Sequence, residues 1–126
     1  MQKRMKRFRR HHELSFWVGN SDQGGWDQFR SLLIIASSPE HAVHVFWKGM
    51  LNYDESCLYT LTKEQILSHL EDAYRNGAPI PKMWEKYLPE VEDTCGEDIA
   101  NWTWENVGKP APRFGASIAM TDFHNG

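Results

Sequence analysis

The chain has 126 residues, of which 40% are hydrophobic, and a net charge of −3. This length and composition are typical of one folded domain with its own core, without help from metals or disulfides. No segment approaches the roughly 18 apolar residues of a membrane span, and no apolar stretch of a signal peptide follows the basic N-terminus. We therefore expect a cytoplasmic protein whose two unpaired cysteines are reduced.

The charge is unevenly distributed along the chain. Residues 13–126 carry eight basic and 17 acidic side chains, which gives this part a charge of about −9. The remaining basic residues all precede the first acid: Lys3, Arg4, Lys6, Arg7, Arg9 and Arg10. We predict a flexible basic arm over residues 1–12 and a single domain over 13–126. Such an arm can contact nucleic acid weakly through phosphates, although a solvated tail is the simpler interpretation.

The pattern of the first third predicts two antiparallel strands and a helix. Apolar residues alternate over 13–19, and the segment 26–36 contains the longest apolar run of the sequence. The Ser-Ser-Pro-Glu sequence at 37–40 predicts the start of a helix over 39–48, ended by Gly49. We expect four strand residues to share one buried face packed against Val43 and Phe46 of this helix: Phe16, Val18, Leu33 and Ile35.

The rest of the chain predicts a helical middle followed by two more strands. Thr62 and Gln65 have the spacing of a capping box, which predicts a helix over 63–76. Prolines at 81 and 89 frame a predicted helix of about two turns. The segments 102–107 and 116–123 are predicted strands. The order is thus β-β-α, a helical middle, then β-β, which indicates an α+β fold with a small, mostly antiparallel sheet packed by two to three helices.

Catalytic and metal-binding patterns are weak. His41 and His44 share a helix face and could bind zinc with a further ligand, but no paired Cys-His spacing supports such a site. Acidic neighbours of Cys57 and Cys95 disfavour the thiolate form. No phosphate-binding loop or nucleophile motif is present. We predict no cofactor, no metal and no enzymatic activity.

One segment has the composition of a contact surface. Between residues 84 and 105 there are seven acids, one base and four aromatic rings. Carboxylates beside exposed rings suit a partner rich in Arg and Lys, although an ordinary solvated face also explains them. We call residues 84–105 the acidic aromatic segment, and its candidate binding residues are Trp84, Tyr87, Glu90, Glu92, Asp93, Glu97, Asp98, Trp102, Trp104 and Glu105.

Two parts of the sequence carry distinctive patterns. Residues 25–42 have an aromatic-Asp pair, an apolar strand and an Ala-x-Ser-x-x-x-Ala pattern that opens a helix, and residues 115–126 have a predicted strand with a Phe-x-x-Gly tail. In these two parts the sequence resembles small phage-encoded α+β proteins, including anti-CRISPR-like inhibitors. The resemblance implies a phage or mobile-element origin and a role in blocking a host defence component, and it transfers no functional residue.

These observations predict a non-enzymatic protein that inhibits a host protein with a basic surface, such as a nucleic-acid-handling CRISPR effector. Two alternatives stay open. The chain could be a nucleic-acid-binding accessory protein that uses its basic arm, or a small enzyme with an unrecognised site.

Overall fold

A computed structural model describes residues 13–22, 26–51, 58–95 and 101–124. Within these ranges the chain forms four strands, three α-helices and a 3-10 helix of six residues, and residues 58–59 form a further short 3-10 turn. In chain order they are β1 (Ser15–Ser21), β2 (Gln28–Ala36), α1 (Pro39–Leu51), α2 (Lys63–Asn76), the 3-10 helix (Lys82–Tyr87), α3 (Leu88–Cys95), β3 (Trp102–Gly108) and β4 (Ser117–His124). The predicted α+β fold class is confirmed.

The strands form one antiparallel sheet in the order β3-β1-β2-β4. The first hairpin is central, and the last two strands flank it on either side. The register places Trp17 opposite Ile34 and Gly19 opposite Leu32. In antiparallel pairs, directly opposite residues lie on the same face of the sheet. These pairs therefore define one face, to which β3 adds Trp104 opposite Gly19.

The main core lies on this face, between the sheet and the helices. Leu32, Ile34 and Ala36 of β2 are at most 2% exposed and belong to the same hydrophobic cluster as Phe46 of α1. The indole of Trp17 packs against this cluster, and its Nε1 donates a hydrogen bond to the carbonyl oxygen of Ala36 at 3.1 Å. The even-numbered positions from Leu32 to Ala36 thus face the helices.

Four side chains that we expected to face α1 lie on the opposite face of the sheet: Phe16, Val18, Leu33 and Ile35. They do share a face, since Phe16 is opposite Ile35 and Val18 is opposite Leu33. None of the four belongs to the core cluster that contains Val43 and Phe46, so the expected packing partner was wrong. The far half of β2 is apolar on both faces, so it does not indicate which face the helices cover. On β1 the helical face carries the small residues Ser15 and Gly19, whereas the larger apolar residues Phe16 and Val18 lie on the other face. The hydrophobic pattern of β1 therefore predicted the wrong face.

The predicted cap of α2 is confirmed. The backbone N–H of Gln65 donates to Thr62 Oγ1 at 3.2 Å, and the backbone N–H of Thr62 donates to Gln65 Oε1 at 2.9 Å. At the other end Gly77 has a φ of 67°, and the N–H of Ala78 reaches the carbonyl of Ala73 at 2.8 Å. This is the Schellman arrangement, which satisfies the last carbonyl groups of a helix.

Two helix boundaries differ from the prediction. Helix α1 continues through Gly49 to Leu51. The predicted helix over 81–89 is a 3-10 helix that leads directly into α3, with Pro89 in the first turn of α3. Proline is tolerated there because the first backbone N–H groups of a helix have no intrahelical partner. Among the described helices none is long and apolar enough to cross a membrane.

Candidate functional site

Two tryptophans of β3 face the helical side of the sheet. The rings of Trp102 and Trp104 are stacked, with centroids 6.0 Å apart and planes at 26°. The Nε1 of Trp102 donates to the carbonyl oxygen of Gly77 at 3.0 Å, which fixes one member of the stack against the end of α2. Trp104 lies over Gly19, where the missing side chain leaves room for its indole. Both rings are half-buried, so part of each is accessible to solvent.

Trp104 forms one wall of a shallow cleft with a volume of about 160 Å³. We call it the Trp104 cleft. The other walls come from the first turns of α1 and from the segment that begins the 3-10 helix. Its lining residues are Pro39, Glu40, Val43, Ile80, Lys82, Glu85 and Trp104. Segments that are distant in sequence thus meet at the N-terminal end of α1.

The polar groups of the Trp104 cleft are two carboxylates and one ammonium group. Glu40, Glu85 and Lys82 are all exposed. None of the three has an ion pair or side-chain hydrogen bond with another described residue. Their charges therefore remain available to a ligand, over apolar walls formed by Val43 and Ile80.

The acidic aromatic segment does not form one continuous surface. Trp84 is 0% exposed, so its assignment as a contact residue was wrong. Its ring lies 5.0 Å from that of Trp47 and is stacked on His69, with planes at 13°. Its Nε1 has no hydrogen-bond partner among the described residues. Trp84 is a core residue, because its neighbours on α1 and α2 enclose it.

Residues around the start of α3 are engaged with α2. Glu90 forms an ion pair with Lys63 at 3.1 Å. The Lys63 and Lys86 ammonium groups lie 6.0 and 5.2 Å from the ring centroid of half-buried Tyr87. Glu92 is also half-buried. Here the acids are partly balanced by Lys63 of α2 and Lys86 of the 3-10 helix, so this region is less acidic than the sequence segment suggested.

The remaining members of the segment either lie away from the Trp104 cleft or are outside the residues that the structure describes. Glu105 is opposite Val18 in the sheet, and hence on the other face from Trp104. Glu97, Asp98 and the side chain of Asp93 lie outside the described residues. Of the ten candidate residues, the structure brings Trp102 and Trp104 together and places Trp104 in the cleft.

None of Glu40, Lys82 and Glu85 was selected from the sequence as a candidate binding residue, although all three line the Trp104 cleft. Glu40 was assigned only to the first turn of a helix, where a carboxylate complements the helix dipole. No spacing in the sequence connects residue 40 with residue 104. The connection depends on β3 pairing with β1, which brings Trp104 to the start of α1.

His41 belongs to the N-terminal cap of α1. The backbone N–H of Ser37 donates to His41 Nδ1 at 2.9 Å, the Ser37 hydroxyl lies 3.0 Å from the same atom, and the N–H of His41 donates to Ser38 Oγ at 3.0 Å. Because the backbone N–H already uses the Nδ1 lone pair, this nitrogen is a poor base for the Ser37 hydroxyl.

His44 makes an edge contact with Tyr59, with ring centroids 5.6 Å apart. Within the described ranges no three His, Cys, Asp or Glu side chains are grouped as metal ligands.

The predicted basic arm, with its six candidate nucleic-acid contacts, lies outside the described residues. Comparison with known proteins gave no match: no family model fits the sequence, and no curated protein or solved structure is significantly similar to it.

Proposed function

We propose that this protein acts by binding a partner protein with a basic surface, and that the Trp104 cleft receives an Arg or Lys side chain of that partner. The observation that carries the proposal is that Trp104 lines one cleft together with apolar walls and two carboxylates, Glu40 and Glu85, that have no ion pair or hydrogen bond with another described residue. This arrangement offers an aromatic face, negative charge and space in one place.

The aromatic, acidic and apolar components of the Trp104 cleft each have a recognised role in binding a basic side chain. A guanidinium or ammonium group over an indole gains about 0.5–2 kcal/mol, depending on how far it is desolvated. A carboxylate at the rim can accept charge-assisted hydrogen bonds, which are roughly twice as strong as neutral ones. Val43 and Ile80 can cover the aliphatic part of the ligand side chain. Arginine fits best, because its planar group stacks on tryptophan and still donates to a carboxylate.

Two local charges oppose a bound cation. Lys82 lines the same cleft, and the positive end of the α1 dipole lies beside Glu40. Glu40 offsets the dipole, so Glu85 is the main acid available to the ligand. The charge of about −9 over residues 13–126 attracts a basic partner from a distance and favours fast association.

More specifically, we propose that the protein inhibits a nucleic-acid-handling host protein, such as a CRISPR effector. Surfaces that bind nucleic acid are rich in Arg and Lys, since phosphate contacts supply most of their affinity. A protein that occupies such residues competes with nucleic acid directly. The resemblance of residues 25–42 and 115–126 to small phage-encoded inhibitors supports this inhibitory role.

The test uses the full-length chain as bait in a bacterial lysate, followed by mass spectrometry. Three baits are compared: the unmodified chain, Glu85→Lys and Glu105→Lys. Both substitutions change the charge equally at exposed positions, but Glu105 lies on the opposite face of the sheet. We expect a basic protein to be retained by the unmodified chain and Glu105→Lys, and to be lost from Glu85→Lys.

A second measurement separates inhibition from simple binding. A captured partner should release its own nucleic acid when the unmodified chain is added, and Lys82→Gln should tighten its binding because the opposing charge is removed. Equal retention by Glu85→Lys and the unmodified chain would contradict the Trp104 cleft assignment. If deletion of residues 1–12 abolished capture while Glu85→Lys had no effect, the accessory role through the basic arm would be favoured instead.

A further inference from the structure

A second concave site lies at the other end of α1. It is a pocket with a volume of about 190 Å³ between the C-terminal part of α1, the C-terminal half of α2 and β2. We call it the α1–α2 pocket. Glu40 of the Trp104 cleft and Met50 of this pocket are ten residues apart on one helix, which corresponds to about 15 Å along its axis. The two sites are therefore separate.

The walls of the α1–α2 pocket are mostly aromatic and held in place by other contacts. Phe29 and Phe46 meet edge to face with ring centroids 5.3 Å apart. The Nε1 of Trp47 donates to the carbonyl oxygen of Pro79 at 2.7 Å. A β-bulge between Phe29 and Ser31 in the pairing with β4 shifts the alternation, so that Phe29 joins the helical face. These contacts pre-form the apolar part of the pocket.

Small side chains leave the space open. Ala73 and Ala78 line the α1–α2 pocket and are both buried. The hydrogen bond between their backbones at the end of α2 fixes their separation. Met50 lies at the rim and is 53% exposed. A larger residue at either alanine would occupy part of the pocket, so these two small side chains help to keep it open.

The polar side of the α1–α2 pocket is a stripe along α2. His69, Asp72 and Asn76 are spaced three and four residues apart, which places them on one helix face. Neither Asp72 nor Asn76 has a side-chain hydrogen bond or ion pair with any other residue in the described part of the chain. His69 is held by its stack on Trp84. Hydrogen-bonding groups thus converge beside an aromatic wall, as in sites for small ligands.

We propose that the α1–α2 pocket binds a small aromatic cation, a single ring bearing an amidinium or ammonium group. A cavity of about 150 Å³ accommodates benzene, so this pocket has room for one ring and a small substituent. The aromatic walls receive the ring. The Asp72 carboxylate accepts hydrogen bonds from the cationic group and supplies the charge that selects it over an anion. The Asn76 amide oxygen offers a further acceptor.

The test is a titration of the full-length chain with benzamidine, followed by amide chemical shifts in NMR. Benzoate has nearly the same shape and the opposite charge, so it is the matched control ligand. Concentrations up to about 10 mM are needed, because a ligand with so few atoms binds weakly. We expect benzamidine to shift the amide signals of Met50, Ala73 and Ala78, and benzoate to bind at least about ten-fold more weakly, since it would face the Asp72 carboxylate.

Two variants test whether the Asp72 carboxylate binds the cationic group and whether the ring occupies the pocket beside Met50. Asp72→Asn should weaken benzamidine binding at least about ten-fold, whereas Glu64→Gln, at an exposed position earlier on α2, should leave it unchanged. Met50→Trp should reduce binding by filling the mouth from an exposed position. Equal binding of benzamidine and benzoate would overturn the proposal. So would shifts confined to residues outside the pocket, or the same effect from Asp72→Asn and Glu64→Gln.

Discussion

The indole of Trp104 on β3 lies directly over Gly19 on β1. A Cβ atom added to Gly19 would be 2.6 Å from Cζ3 and 2.7 Å from Cη2 of Trp104. Side-chain carbons essentially never approach so closely, and an indole ring cannot bend away as the end of a flexible chain can. The absent side chain at position 19 therefore sets the position of Trp104, and with it one wall of the Trp104 cleft.

Gly19→Ala should displace Trp104 and destabilise the fold. Overpacking of a well-packed contact costs about 1–3 kcal/mol. Urea denaturation followed by circular dichroism gives the change in the free energy of unfolding. Gly115→Ala is the control, because no atom lies within 4 Å of its added Cβ. If the two alanine variants had the same stability, the contact between Trp104 and Gly19 would not exist in solution.

The orientation of β2 can be tested with two adjacent leucines. Leu32 is 2% exposed on the face that packs against the helices, whereas Leu33 is half-buried on the opposite face. Leu32→Ala should cost about 2–5 kcal/mol, because it leaves a cavity in the core. Leu33→Ala should cost clearly less. Chemical denaturation of both variants measures the difference, and a larger loss for Leu33→Ala would reverse the assignment of the two faces.

The capping box of α2 predicts the effect of changing Thr62. Thr62→Ala removes the oxygen that accepts the Gln65 N–H, and should lower the free energy of unfolding by about 0.5–2 kcal/mol. Thr62→Ser keeps the hydroxyl and should be nearly neutral. Thermal unfolding at one protein concentration compares them. Equal losses in both variants would mean that the threonine methyl group, and not the cap, stabilises this end of the helix.

Gly77 ends α2 in a left-handed conformation with a φ of 67°. Gly77→Ala should cost about 1–2 kcal/mol, because a side chain disfavours this backbone region. The added Cβ would also lie 3.2 Å from Cβ of Gln28. Asn76→Ala, one residue earlier and still within the helix, should be neutral or slightly stabilising. Urea denaturation distinguishes the two, and similar values would argue against the left-handed cap.

Local signals in the sequence predicted the elements well. The capping box of Thr62 and Gln65 together with Gly77 gave α2 its observed bounds, because caps act within one turn and are visible in adjacent residues. Pro89 led to a wrong prediction that the helix ends there. A proline that follows one helix and a proline in the first turn of the next look identical in a sequence. Trp84 was wrongly predicted to be an exposed contact residue for a different reason. Whether a tryptophan is exposed depends on its neighbours in space, which the sequence does not show.

The sequence by itself determined the α+β class, the capped helix α2 and the hairpin of β1 and β2, because each follows from periodicity and from hydrogen bonds between near neighbours. Only the tertiary structure decided which face of β2 the helices cover, since the strand is apolar on both faces and Gly19 gives no sign that Trp104 lies over it. It also decided that Glu40 and Glu85 line the same cleft as Trp104. This arrangement depends on long-range pairing of β3 with β1, which no local pattern encodes.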